Sequence, residues 1–257
     1  MPPHRSSPLL MTSVSDVEEA AAALLGGADV LDVKNPLEGS LGACPPAVLR
    51  AVVALRDRAA ATGRRVSVSA ALGDAPNRPG TFALAASGAA ACGVDFLKIG
   101  LQGVRNRDDS AVFLSAIVEA ARAAAPGVRV VAAAYAEAAL LGSIEPVLLP
   151  EVAEYSGADG CLIDTAGKDG RTLFDHLDPG AVSRFVADCR GRGLLCGLAG
   201  SLGADHLPLL LELGPDVIGV RGAICEGGRN GRLDPRRLSA LREALLGAIA
   251  GRLPPRE

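Results

Sequence analysis

Three lysines are the residues of this sequence that are best suited to covalent chemistry. Of the 26 basic residues in the 257-residue chain, only Lys34, Lys98 and Lys168 are lysines, and the others are arginines. Arginine replaces lysine well as a solvated charge, but its guanidinium cannot lose a proton in a protein. Lysines kept in an arginine-rich chain therefore indicate sites that need an amine able to deprotonate. Chance retention on the surface is the alternative.

Each lysine lies at or just beyond the end of an apolar segment with a strand-like pattern. Lys34 ends one such segment, Lys98 lies near the end of another, and Lys168 follows a third that ends at Asp164. Between apolar walls and near other cations, the pKa of a lysine can fall from about 10.4 toward roughly 7–8. Such an amine attacks carbonyl carbons and forms a Schiff base.

Two aspartates accompany the lysines. Asp32 precedes Lys34 by two positions on one strand, and Asp164 follows Leu162 in the same way, so each pair shares a face. Both carboxylates are suited to holding an amine in place or shuttling a proton. Neutralising the lysines is the other interpretation, and for Asp32 it is equally reasonable.

Strand-like and helix-like segments alternate along the whole chain, which predicts a (β/α)8 TIM barrel. We expect one domain over residues 1–257, with residues 1–7 as a tail. An open doubly wound sheet is the alternative, but it usually carries a glycine-rich turn after its first strand, and none is present here. The expected strands are 8–13, 29–34, 65–71, 94–100, 128–134, 160–164, 194–199 and 216–221, and helical spacing marks 16–25, 46–61, 110–125, 146–155, 179–192 and 234–250.

Small residues recur at alternate positions of several expected strands. If they face the barrel interior they leave room for a ligand between the lysines, whereas tight packing of a narrow barrel is the alternative. The residues concerned are Ser67, Ser69, Ala71, Ala132, Ala134, Gly197 and Ala199.

Glycine-containing segments follow the seventh and eighth expected strands, where TIM barrels commonly bind phosphate. In the segments 197–201 and 219–222, glycines let backbone N–H groups approach an oxyanion, and a short helix N-terminus adds a favourable dipole. We expect phosphate ligands from the backbone of Gly200, Ser201, Gly222 and Ala223. The side chain of Arg221 could add a charged donor.

Composition excludes several other classes of function. A net charge of −3 and 3% aromatic residues do not suit binding to nucleic acid or to an anionic membrane. The six cysteines lack metal-finger spacing, which favours free thiols in a reducing cytoplasm. No metal or other cofactor is expected. His176 and His206 could bind phosphate or act as acids, but capping or surface roles are favoured. A homo-oligomer is possible.

Several long motifs together resemble the (5-formylfuran-3-yl)methyl phosphate synthase family, also called 4-(hydroxymethyl)-2-furancarboxaldehyde-phosphate synthase. The resemblance runs from about residue 8 to about residue 245. The motifs are Asp-Val-Lys-Asn-Pro from position 32, Ala-Leu-Gly-Asp-Ala-Pro from 71, Pro-Gly-Thr from 79, Phe-Leu-Lys-Ile-Gly-Leu from 96, Asp-Thr-Ala-Gly-Lys-Asp-Gly-Arg from 164, Gly-Leu-Ala-Gly-Ser from 197 and Gly-Val-Arg-Gly from 219.

This resemblance implies a barrel that condenses two molecules of glyceraldehyde 3-phosphate into a phosphorylated furan aldehyde, with loss of phosphate and water, in biosynthesis of the methanofuran type. It implies Lys34 as the Schiff-base residue and Lys98 as the proton acceptor, assisted by Lys168, Asp32 and Asp164. Two alternatives remain open. One is another Schiff-base enzyme of the class I aldolase type acting on a sugar phosphate, and the other is a non-catalytic phosphosugar-binding barrel.

Overall fold

A computed structural model describes residues 7–74, 76–167 and 169–252 of the chain. Eight parallel strands follow one another around a closed barrel, and the last strand pairs with the first. The predicted TIM barrel is thereby confirmed. The strands are β1 (Leu9–Val14), β2 (Val30–Val33), β3 (Ser67–Asp74), β4 (Phe96–Gly100), β5 (Arg129–Tyr135), β6 (Gly160–Asp164), β7 (Leu195–Leu198) and β8 (Val217–Val220).

Helices connect these strands on the outside of the barrel. Among the described residues, the six helices that spacing predicted are all present, the fourth as a 3-10 turn over Pro146–Leu148 that runs on into the helix Leu149–Tyr155. Four further helices accompany them, over Pro79–Ala90, Ala138–Leu141, Leu173–His176 and Leu207–Leu213. The helices are α1 (Val17–Gly26), α2 (Pro46–Ala61), α3 (Pro79–Ala90), α4 (Arg107–Ala124), α5 (Ala138–Leu141), α6 (Leu149–Tyr155), α7 (Leu173–His176), α8 (Pro179–Gly191), α9 (Leu207–Leu213) and α10 (Pro235–Ala250).

Local sequence explains where these helices begin, end and pack. The Asp16 carboxylate accepts a hydrogen bond from the Glu19 backbone and so begins α1, which ends at Gly27 in the left-handed region with φ 93°. Helix α4 buries Phe113 and Ile117, four positions apart, against the barrel. Helix α3 is rich in alanine, and none of its faces is clearly more apolar than the others. The spacing of apolar residues therefore did not reveal it.

The strands separate two cores, because successive side chains of a strand point to opposite faces. Residues such as Leu10, Leu31 and Leu97 face outward and pack against the helices. A smaller cluster fills part of the barrel interior and includes Met11 and Leu162.

One expectation about the interior is wrong. On β5, Ala132 and Ala134 belong to the outer core, whereas Ala133 faces the interior. All residues of that segment are small or apolar, so its pattern did not reveal which alternate set turns inward. The expectation for β3 and β7 is confirmed, because Ser67, Ser69 and Gly197 line a cavity inside the barrel, and Ala71 and Ala199 belong to the inner cluster.

Nothing in the described ranges is a helix both long and apolar enough to cross a membrane. The cysteines are free thiols, and five of the six are buried. A cytoplasmic location stays a prediction. Most of the expected tail, residues 1–6, lies outside the described residues.

Candidate active site

A buried ion pair between Lys98 and Asp32 lies at the centre of the barrel interior. Lys98 is in the middle of β4 and Asp32 is on β2, and their Nζ and Oδ2 atoms are 2.7 Å apart. Asp32 is fully buried, and its Oδ2 also accepts a hydrogen bond of 3.2 Å from Ser13 Oγ. A contact this short, away from water, is a charge-assisted hydrogen bond. The Asp32 carboxylate therefore holds the Lys98 amine in place.

Lys34 lies one residue beyond β2 and presents its amine above this pair. Its Nζ is 3.9 Å from Asp164 Oδ2, too far for a hydrogen bond, and its side chain is buried. Burial lowers the pKa of Lys34, and the charges of Lys98 and Arg229 lower it further, against the opposing effect of Asp164 and Asp32. The site therefore combines one amine in a short contact with a carboxylate and a second amine whose pKa is lowered.

Asp164 ends β6 and shapes the loop that follows. Its Oδ1 accepts a hydrogen bond of 2.8 Å from the Thr165 backbone, and the carbonyl of Thr165 accepts one of 2.8 Å from Ser40 Oγ. Asp32, Lys34, Lys98 and Asp164 thus lie together at one site, and their catalytic roles stay predictions. Lys168 lies outside the described residues, so its assisting role stays a prediction.

Glu137, which sequence reasoning missed, holds the same loop from the other side. Its carboxylate accepts hydrogen bonds from the backbone of Ala166 at 3.1 Å and Gly167 at 2.8 Å, and it is buried. His176 Nε2 lies 3.7 Å from this carboxylate. The loop after β6 is therefore fixed by an internal anion, and His176 is part of that support. Glu137 lies two positions after Tyr135, but no motif marks it.

A second pair that sequence reasoning missed, Asp74 and Tyr135, spans the end of β4. The Tyr135 hydroxyl donates to Asp74 Oδ1, and the Leu41 backbone donates to Asp74 Oδ2 at 2.9 Å. Burial raises the pKa of Tyr135, and the charge of Asp74 raises it further, so the phenol stays protonated. Only glycine fits at Gly100, because a Cβ there would overlap the Tyr135 hydroxyl.

The loops after β7 and β8 form the wall of a cavity of about 400 Å³ that also contains Lys34 and Lys98. Gly200 and Ser201 both have positive φ, 109° and 53°, and a Cβ on Gly200 would lie 2.8 Å from the Thr165 side chain. Gly200 is thus required by a tight turn. Ser201, Gly222 and Ala223 are among the residues that line the cavity, the last two in a short 3-10 turn.

The guanidinium of Arg221 is not free to bind a ligand, which corrects the expectation for its side chain. Its Nε donates to the Arg229 carbonyl, Nη1 donates to the Ser13 carbonyl and Glu19, and Nη2 donates to Glu19 and the Gly231 carbonyl. These bonds use all five donors of the group. Arg221 therefore ties the loop after β8 to β1 and α1.

Arg229 is the cation that this loop does present to the cavity. Its Nη2 donates to the Gly39 carbonyl at 2.8 Å, and the side chain is half-buried beside the amines. Burial lowers the pKa of Arg229, while Asp164 and Asp74 oppose that shift. It lies in a glycine-rich surface loop of an arginine-rich chain, so no sequence signal separated it from solvated arginines.

His206 has the capping role that the sequence favoured. Its Nδ1 accepts a hydrogen bond of 3.1 Å from the Gly203 backbone, and its ring stacks on Phe174 with centroids 5.8 Å apart. That nitrogen is consequently engaged in holding the start of a helical turn.

Solved structures with the same fold share little sequence identity with this chain. The KGPDC of Streptococcus mutans in complex with D-R5P has a TM-score of 0.63 and 14% identity, with 94% of this chain and 98% of that chain covered. The 3-hexulose-6-phosphate synthase of Salmonella typhimurium has a TM-score of 0.61 and 19% identity, with 93% and 99% covered. These likenesses show the fold, which is a TIM barrel.

The sequence comparisons identify the family. The family described as 4-HFC-P synthase matches residues 10–242, and the chain belongs to it. The (5-formylfuran-3-yl)methyl phosphate synthase of Methanothermobacter thermautotrophicus is 47% identical over 239 residues, or 92% of this chain and 98% of the relative. The synthase of the same name from Methanocaldococcus jannaschii is 44% identical over 237 residues, or 91% and 98%. The chain is accordingly an enzyme of the furan phosphate synthase type.

We expect Arg221→Leu to destabilise the protein strongly, because it leaves the buried Glu19 carboxylate without its cation. Burial raises the pKa of Glu19, but hydrogen bonds from Arg221 and Ser15 outweigh that effect and hold it below its ordinary value. Breaking a buried pair in this way costs about 3–5 kcal/mol. Urea unfolding followed by circular dichroism measures the loss.

The matched control is Arg232→Leu, which removes exposed ion pairs from the same loop to Asp16 and Glu18. It should cost only about 0–1 kcal/mol. Equal and small losses for both variants would contradict the structural role of Arg221, as would a raised KM of Arg221→Leu at unchanged stability.

Proposed function

We propose that this barrel condenses two molecules of glyceraldehyde 3-phosphate into (5-formylfuran-3-yl)methyl phosphate through a Schiff base on Lys34. The observation that carries the proposal is the pair of buried amines, Lys34 and Lys98, in one cavity whose wall includes the loops after β7 and β8. The atoms of two triose phosphates balance those of the furan product with loss of phosphate and water alone.

Lys34 is the nucleophile in this scheme, because its amine loses its proton more easily than an ordinary lysine. It attacks the aldehyde carbon of one triose phosphate and forms a carbinolamine. Loss of water then gives a protonated imine. The carboxylate of Asp164 lies 3.9 Å from Nζ and supports the positive charge that the imine acquires.

Lys98 has a two-stage role. As an ammonium beside Asp32 it first donates a proton to the hydroxide that leaves the carbinolamine. This donation leaves a neutral amine, which then accepts the proton from the carbon next to the imine. The resulting enamine attacks the aldehyde of the second triose phosphate. The assignment agrees with the proton-acceptor role that the family resemblance implies.

The loops after β7 and β8 anchor a phosphate in this proposal. The backbone N–H groups of Gly200, Ser201, Gly222 and Ala223 are the proposed donors, and the positive charge of Arg229 replaces the contribution expected from Arg221. The anchored phosphate would align the triose with Lys34 and so lower the entropic part of the barrier.

Borohydride trapping tests the position of the covalent bond. With glyceraldehyde 3-phosphate present, reduction should add the mass of one triose phosphate, less one oxygen, to the peptide that contains Lys34. Lys34→Arg should form no adduct and no furan, because guanidinium stays charged. Peptide mass spectrometry and the absorbance of the furan aldehyde are the two measurements.

The outcomes separate the proposal from its alternatives. An adduct found only on Lys98 or Lys168 would place the Schiff base elsewhere. An adduct on Lys34 without any furan would indicate an aldolase-type reaction. Absence of both would favour a phosphosugar-binding barrel.

We expect Ala223→Asp to raise KM by about 10-fold or more, because a carboxylate at an exposed position of the phosphate loop repels the substrate dianion. Ala223→Asn, which has the same size without the charge, is the control and should change KM much less. Steady-state kinetics at two ionic strengths measure the effect, which salt should weaken. Equal KM values for the two variants would show that the substrate phosphate does not bind at this loop.

A further inference from the structure

A second cavity lies below the active site, at the amino ends of the strands. Its volume is about 200 Å³, and residues from β1 to β8 line it, among them Leu9, Ser67 and Val217. Met11 and Lys98 line this lower cavity and also the upper one, and the Lys98 amine is 3.8 Å from Met11 Sδ. Lys98 therefore lies at the boundary between the two cavities.

The lower cavity opens toward solvent at the amino-terminal face. Its inward residues near that face, including Ser67, Phe96 and Val131, are only half-buried, unlike the residues above them. Arg129 is exposed at the rim, with its guanidinium carbon 3.9 Å from the centre of the Phe96 ring. Water can thus reach the cavity without passing through the active-site mouth.

Polar atoms converge where this cavity meets Lys98. Ser69 is 1% exposed, and neither its Oγ nor Asp32 Oδ1 has a hydrogen-bond partner among the described residues. The strand register pairs Asp32 with Ser69, and the other carboxylate oxygen of Asp32 holds Lys98. Unsatisfied buried polar atoms cost about 1–3 kcal/mol each. A buried water needs two to four polar partners, and Ser69, Asp32 and Lys98 together supply that number.

We propose that the lower cavity is a water-filled passage through which Lys98 exchanges protons with solvent from the amino-terminal face. This inference rests on the proposed function, in which Lys98 gives up a proton and regains one in each turnover while substrate occupies the upper cavity. After Lys98 has taken the proton from the carbon next to the imine, the ammonium passes a proton to the water held by Ser69 and Asp32, and the water chain passes one on past Ser67. The freed amine then removes the second proton during aromatisation and becomes an ammonium again. The second hydroxide that leaves takes up one proton from solvent, so charge and atoms balance.

A crystal structure at high resolution tests the presence of water directly, with no need for activity. Ordered water should bridge Ser69 Oγ, Asp32 Oδ1 and Lys98 Nζ, and should continue past Ser67 to the surface. Xenon pressurisation of the crystals is the complementary probe, since apolar dry cavities bind xenon. Xenon in the cavity, with no water density at Ser69, would overturn the proposal.

Ser69→Ala tests the role of the water in turnover. We expect kcat to fall by about 10-fold, less than the roughly 10²–10⁴-fold effect of losing a catalytic base, with KM unchanged and a larger solvent deuterium isotope effect. Thr12→Val is the matched control. Thr12 Oγ1 is also buried without a partner among the described residues, but it lies on the helix side of β1 beside the outward-facing Leu10 and Val14. This variant should leave kcat and the isotope effect near the wild-type values.

Ser67→Leu blocks the passage near its mouth, away from Lys98, and should reproduce the effects of Ser69→Ala. If both serine variants kept the kcat and the isotope effect of the wild-type enzyme, the proposal would be contradicted. Failure of the proposed function would look different, because the wild-type enzyme would then produce no furan. The crystallographic tests with water and xenon do not depend on activity and would still decide whether the passage holds water.

Discussion

The ion pair between Lys98 and Asp32 sets the electrostatics of the whole barrel interior. The pair is fully buried and 2.7 Å long. Burial is the main cause that lowers the pKa of Lys34 above it, and the charge of Lys98 lowers that pKa further. Two amines of the same residue type consequently have different surroundings within one cavity. The proposed mechanism uses this difference, since imine formation requires a neutral amine and a nearby acid.

Support for this arrangement comes from residues that do not face the substrate. Arg221 joins the loop after β8 to α1 through Glu19, and Glu137 holds the loop after β6 through backbone N–H groups. Asp74 binds the Leu41 backbone and Tyr135 and so connects the loop after β2 to β5. Buried charges thus serve to position loops, and the cost of burying each one is offset by several hydrogen bonds.

The sequence predicted the barrel and the meeting of Lys34, Lys98, Asp32 and Asp164, because strand period and fold class together determine where a strand-end residue lies. It did not predict the inward face of β5, where neighbouring residues are alike in size and polarity. It also did not predict that the Arg221 guanidinium is engaged in an ion pair with Glu19, since that contact joins residues far apart in the chain. Glu137 and Arg229 act through backbone groups of other loops, and a pattern along one segment contains no information about such contacts.

The lowered pKa of Lys34 is the central claim, and nitrogen NMR of lysine side chains measures it directly. With only three lysines, the spectrum of protein labelled with ¹⁵N-lysine is simple, and Lys34→Arg and Lys98→Arg assign two of its signals. We predict that the Lys34 amine loses its proton at a pH below the ordinary lysine value of about 10.4. Titration of Lys34 at or above the ordinary value would contradict the account.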